Sequence, residues 1–155
     1  MISRARRTFI CALFAALCLG PPQVVAQNAP PPVADKPFAE HRLILQLSDR
    51  DPAKEALVLS VAYNLIKDYG PDKIAIEVVA FGPGIDLLFA NSSNRAKVDS
   101  LISQGVVFDI CMNTVDTIER ETGKALELNP KAIRVEAGVA KILELTDKGY
   151  TLVRP

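Results

Sequence analysis

The stretch Val106-Val107-Phe108-Asp109-Ile110-Cys111-Met112-Asn113-Thr114-Val115 decides the fold. Its first half is a continuous apolar run broken only by Asp109, the pattern of a strand buried on both faces. Its second half changes to helical spacing without an intervening turn. The spacing predicts a strand over Val106–Ile110, a helix over Asn113–Thr122, and Cys111 at their junction.

Working outward, the same alternation recurs. Leu43-Ile44-Leu45-Gln46-Leu47 and Ile74–Ala80 are two more apolar runs suited to buried strands. Between them Asp51 caps a helix with Pro52 in its first turn, and Gly70-Pro71 ends it. Phe81-Gly82-Pro83-Gly84 reads as a turn, followed by a short apolar helix over Ile85–Ala90. Ser93 or Asn94 caps the next helix, with Val98, Leu101 and Ile102 inward and Gly105 at its end. Downstream, Leu126–Pro130 is a loop, Ala132–Val135 a strand, Gly138–Asp147 a helix and Tyr150–Val153 a final strand. Strands alternating with helices imply a mostly parallel, five-stranded sheet covered on both faces. With right-handed crossovers this is an α/β, flavodoxin-like three-layer sandwich.

The N-terminal 40 residues are of another kind. Arg4, Arg6 and Arg7 precede an apolar run from Thr8 to Gly20, and Val24-Val25-Ala26 offers small residues for a cut. The run falls short of the about 20 residues that span a bilayer as a helix. Residues 1–26 therefore read as a secretory signal, with a retained anchor as the alternative. Arg6-Arg7-Thr8-Phe9-Ile10 partly matches a twin-arginine signal, although Ala5 stands where Ser or Thr is usual. Leu17 before Cys18 argues against a lipid anchor. The expected location is the periplasm or the exterior, with no membrane association after cleavage. Residues 27–40 form a linker holding four of the 11 prolines, and residues 41–155 form one domain.

The 18 Lys and Arg balance the 18 Asp and Glu, and loss of the three signal arginines tips the remainder mildly acidic. That gives no electrostatic case for nucleic acid or an anionic membrane as partner. Of three cysteines, Cys11 and Cys18 fall in the signal, leaving Cys111 as an odd thiol. There is no Cys-x-x-Cys, and His41 is the only histidine, so no zinc set or Ser-His-Asp triad is available. No metal or cofactor is implied.

In a doubly wound sheet ligands bind outside the carboxyl ends of the strands. Those ends are Ser48-Asp49-Arg50, Phe81-Gly82-Pro83-Gly84, Cys111-Met112-Asn113-Thr114 and Glu136-Ala137-Gly138. Cys111 beside a helix start has its thiolate favoured by the unpaired N–H groups there. Asp109 and Asp116 oppose this, and no basic residue is adjacent in sequence. The alternative is a buried structural cysteine. Gly82 and Gly84 form either an anion-binding nest or a plain turn. Asn113 and Thr114 either cap the helix or touch a ligand.

His41-Arg42-Leu43, Ser48-Asp49, Asp51-Pro52-Ala53-Lys54, Phe81-Gly82-Pro83-Gly84-Ile85, Cys111-Met112-Asn113-Thr114, Val135-Glu136-Ala137-Gly138-Val139 and the ending Lys148-Gly149-Tyr150 through Arg154-Pro155 occur in this order. Together they resemble the DsrE/DsrF-like family, especially its small exported branch, over about His41 to Pro155. The resemblance implies a flavodoxin-like sandwich in homo- or hetero-oligomers. It also implies sulfur relay, with Cys111 carrying sulfur as a persulfide between a donor and an acceptor protein. Gly82 and Asn113 match neighbours of that site.

Overall fold

The computed structural model describes residues 36–155. The expected signal and the first part of the linker lie outside the described residues. Ten elements follow one another. They are β1 (His41–Leu47), α1 (Pro52–Tyr69), β2 (Ile74–Ala80), a 3-10 segment (Gly82–Leu88) and α2 (Arg95–Ser103), then β3 (Val107–Cys111), α3 (Met112–Thr122), β4 (Ile133–Val135), α4 (Gly138–Asp147) and β5 (Thr151–Val153). The strands form one sheet of order β4-β3-β2-β1-β5. All four pairings are parallel, so the sheet is parallel throughout. The protein is an α/β sandwich of the flavodoxin-like kind.

The local causes are visible in the chain. Asp51 Oδ1 accepts a hydrogen bond from the Ala53 N–H at 2.8 Å, capping α1, and Pro52 supplies a preset φ in its first turn. Gly70, at φ 87°, ends α1 and donates its N–H to the Ile66 carbonyl at 2.8 Å. Every residue of β2 is buried, as a central strand requires. Alternation sorts the side chains into two cores. Leu45, Leu47, Ile76, Val78, Phe108 and Ile110 pack against α1, α2, the 3-10 segment and Val115 of α3. Ile44 and Val79 point the other way and meet Ile142 and Leu145 of α4.

This division fixes where a ligand could enter. From β1 to β4 the chain steps across the sheet in one direction, so right-handed connections put α1, α2 and α3 on the same face. From β4 it returns past three strands to lie beside β1, and α4 covers the opposite face. The connections of β3 and β4 therefore leave adjacent strands on opposite faces, which opens a crevice between their carboxyl ends. Cys111 is the last residue of β3.

Several boundaries differ from expectation. The third strand runs on through Cys111, and α3 starts at Met112 with no spacer. The segment expected as a helix over Ile85–Ala90 is instead 3-10 and begins at Gly82. The end of the expected linker is docked on the domain. Lys36 Nζ donates to the Pro71 and Ile74 carbonyls, and Glu40 donates its N–H to the Lys73 carbonyl. Among the described residues no helix is long and apolar enough to cross a membrane.

Candidate functional site

Cys111 is itself the N-cap residue of α3, in extended conformation at φ −73°, ψ 111°. Asn113 and Thr114, expected as caps, are instead in the first turn. Their N–H groups lie in the turn beside the sulfur and lower its pKa, although the Cys111 side chain accepts no capping hydrogen bond. A second helix start faces the same atom. Gly138, the first residue of α4, lies beside Cys111, and its N–H also lowers the thiol's pKa. Gly138 is what allows this approach: a Cβ there would lie 3.1 Å from Phe81 Cβ and 3.4 Å from Cys111 Cβ.

These donors decide the state of the thiol. Burial, with Cys111 only 6% exposed, pushes its pKa up. The Thr114 hydroxyl and the N–H groups of Gly138, Thr114 and Asn113 outweigh burial and hold the thiol below its ordinary value. The neutral thiol has one compensating contact, donating to the Glu136 carbonyl with Sγ to O at 3.9 Å. That carbonyl is shared, because it also accepts the Asn113 N–H at 3.1 Å. Thr114 connects two loops: its hydroxyl oxygen accepts the Gly82 N–H at 3.0 Å, leaving its proton for the sulfur.

The glycine turn does not form an anion nest. The Gly82 N–H is committed to Thr114, the Gly84 N–H donates to the Phe81 carbonyl at 3.2 Å, and Pro83 has no N–H. Gly84 has a packing reason instead: a Cβ there would lie 2.5 Å from the Leu47 carbonyl oxygen. Gly82, at φ 53°, makes the turn. Gly82, Asn113 and Thr114 nevertheless meet on one cavity of 450 Å3, together with Pro83, Thr117, Ile118 and Arg50. Arg50 belongs to the Ser48-Asp49-Arg50 segment expected at this edge, where it had no individual role assigned. It is exposed and ion-paired with Asp86, its Nη2 donating to Asp86 Oδ1 at 3.3 Å.

Deeper on the α4 face, Asp109 is wholly buried and neither of its oxygens has a hydrogen-bond partner. Burial, then the Glu77 carboxylate, push Asp109 up to about 8, with Lys141 opposing. A carboxyl held this far above its ordinary range is mostly protonated at neutral pH, so it repels a thiolate two residues away correspondingly less. His41 stacks at a tilt on Tyr69, ring centres 4.5 Å apart, far from this site at the other end of β1. Among the described residues no three His, Cys, Asp or Glu side chains cluster as a metal site requires.

The fold and site define the chain as a parallel α/β sandwich with one thiol between two helix starts. It is similar in structure to MTH1491 from Methanobacterium thermoautotrophicum, titled a protein of unknown function, with a TM-score of 0.66 and 29% identity. The likeness covers 75% of this chain and 100% of that one. No family model matches the sequence. No curated protein matches it.

Proposed function

We propose that this protein is a sulfur carrier acting in the periplasm or outside the cell. The observation that supports this best is the convergence of two helix starts on one buried thiol. The polar surroundings that lower the Cys111 pKa favour an anion on this side chain, and in a persulfide that charge lies on the outer sulfur. The Cys111 thiolate attacks the outer sulfur of a persulfide or polysulfide donor. A new S–S bond forms, the donor S–S bond breaks, and the donor leaves as a thiolate. An acceptor thiolate then attacks the outer sulfur on Cys111, which regenerates the Cys111 thiolate and moves the sulfur without net oxidation. No metal or cofactor enters the cycle. The partners are a sulfur donor, an acceptor, and further copies of this chain in a homo-oligomer.

The low exposure of Cys111 favours one other function, a binding domain that holds a small ligand in the cavity of Gly82, Asn113 and Thr114 with Cys111 structural. A transfer assay separates the two. The protein is loaded with inorganic polysulfide, desalted, and mixed with a small thiol. Sulfur carriage predicts stoichiometric release of sulfane sulfur to the thiol, abolished in Cys111→Ser. Equal release from both proteins contradicts it.

A further inference from the structure

At the end of the sheet opposite Cys111, beneath the C-terminal half of α4, lies a separate cavity of 270 Å3. Lys36, Arg42, Lys141 and Lys148 line it, with Glu77 and Tyr150. Cations thus arrive from the segment before β1, from β1 itself and from two turns of α4. Two of them are already matched. Lys141 Nζ lies 3.3 Å from Glu77 Oε2, and Lys148 pairs with Glu144. The other two are not. Lys36 donates to the Pro71 and Ile74 carbonyls, at 2.7 and 3.0 Å. Arg42 lies over the Tyr150 ring, 5.7 Å from its centre. Among the described residues neither has a carboxylate at ion-pair distance. Burial, partly offset by the charge of Asp72, holds Lys36 below the ordinary lysine range.

Three features oppose an anion here: the Glu77 carboxylate, the carbonyl end of α4 and, on the Lys36 side, the charge of Asp72. Asp72 offsets Lys36 only in part. Lys141 neutralises the first, and Lys148, the C-cap residue of α4, compensates the second. The remaining excess is the pair Lys36 and Arg42. At ~30 Å3 for each water, the cavity holds about nine waters, room for a sulfate-sized anion and its remaining shell.

We infer that this cavity binds a small divalent oxyanion, gripped by the guanidinium of Arg42 and the ammonium of Lys36, with Lys141 and Lys148 closing it from α4. A planar guanidinium matches two oxygens of such an anion. The site does not depend on sulfur carriage. It does share α4 with Cys111, since the first turn of that helix lies beside Cys111 and its last turns roof the cavity.

Calorimetric titration of the protein with sodium sulfate, at ionic strength held constant with sodium chloride, tests the assignment. One saturable site per chain is expected, weakened roughly tenfold in Arg42→Gln by loss of a charge-assisted bond. Lys148→Gln, at an exposed position, is expected to weaken binding several-fold and reports even where Arg42→Gln does not fold. Absence of saturable heat, or a site that both substitutions leave intact, overturns the inference.

Discussion

At the scale of the residue, the chemistry of Cys111 is set by donors it does not carry itself. Thr114 is the side chain that most directly tests this. Thr114→Val removes the hydroxyl while keeping the shape, so the Cys111 thiol returns toward its ordinary pKa. Alkylation by iodoacetamide at pH 7 is expected to slow several-fold, with the pH–rate profile moved to higher pH. An unchanged profile would exclude the hydroxyl as a donor. The same substitution orphans the Gly82 N–H, at a cost of about 1–3 kcal/mol if no water replaces it.

Asp109 gives a prediction of opposite sign. Its folded pKa is raised, so the folded protein holds a proton that the unfolded chain releases. The stability this confers is complete below about pH 3.8 and is lost as pH rises through about 8. The groups facing Asp109 are Glu77 on β2 and Lys141 and Glu144 on α4. Asp109→Asn keeps the shape and cannot ionise. Urea denaturation at pH 5 and pH 8.5 is expected to show the wild type losing more stability than the variant across that interval. Parallel losses would contradict the buried neutral acid.

At the scale of the element, most of the architecture was legible because the three central strands carry short apolar runs and glycine, proline or aspartate punctuates the chain between elements. Helix α1 was fixed at both ends by Asp51-Pro52 and Gly70-Pro71. The junction at Cys111 was legible as a place but not as a geometry. Sequence spacing separated strand from helix by one or two residues, whereas the strand passes directly into α3 and makes Cys111 the cap. Neither the approach of α4 nor the role of Arg50 has a local signal, because both depend on which strands become neighbours. The nest at Gly82-Pro83-Gly84 failed for a related reason: its donors are used by Thr114 and the chain's own turn.

Two glycines separate packing from chemistry at this scale. Gly84→Ala forces a Cβ onto the Leu47 carbonyl and is expected to cost about 1–3 kcal/mol or more in stability, read by thermal or chemical denaturation. Gly138→Ala meets only side-chain atoms of Phe81 and Cys111, at 3.1 to 3.4 Å. Gly138 is the first helical residue, where the gain in helix propensity is below the ~1 kcal/mol of a helix interior but still offsets part of that crowding. Stability is therefore expected to change little while the Cys111 pKa rises, because the first turn of α4 must back away from the sulfur. A lower melting temperature with an unaltered pH–rate profile would mean that Gly138 serves packing alone.

At the scale of the whole molecule, the order β4-β3-β2-β1-β5 accounts for the position of the site. Because only the last connection changes face, only one pair of neighbouring strands, β3 and β4, opens a crevice at its carboxyl end. Cys111 ends the one strand and α4 follows the other. The fold class follows from the run of strands and helices, but the strand order, and with it the crevice, comes from how the two cores divide.

The central claim is that Cys111 accepts a single sulfane sulfur. Intact-mass measurement of the folded protein after brief exposure to inorganic polysulfide tests it most directly. A gain of one sulfur atom is expected, localised to Cys111 by peptide mapping, reversed by a small thiol and absent in Cys111→Ser. A protein that gains no sulfur, while Cys111 in the same preparation is fully alkylated by iodoacetamide, would contradict it.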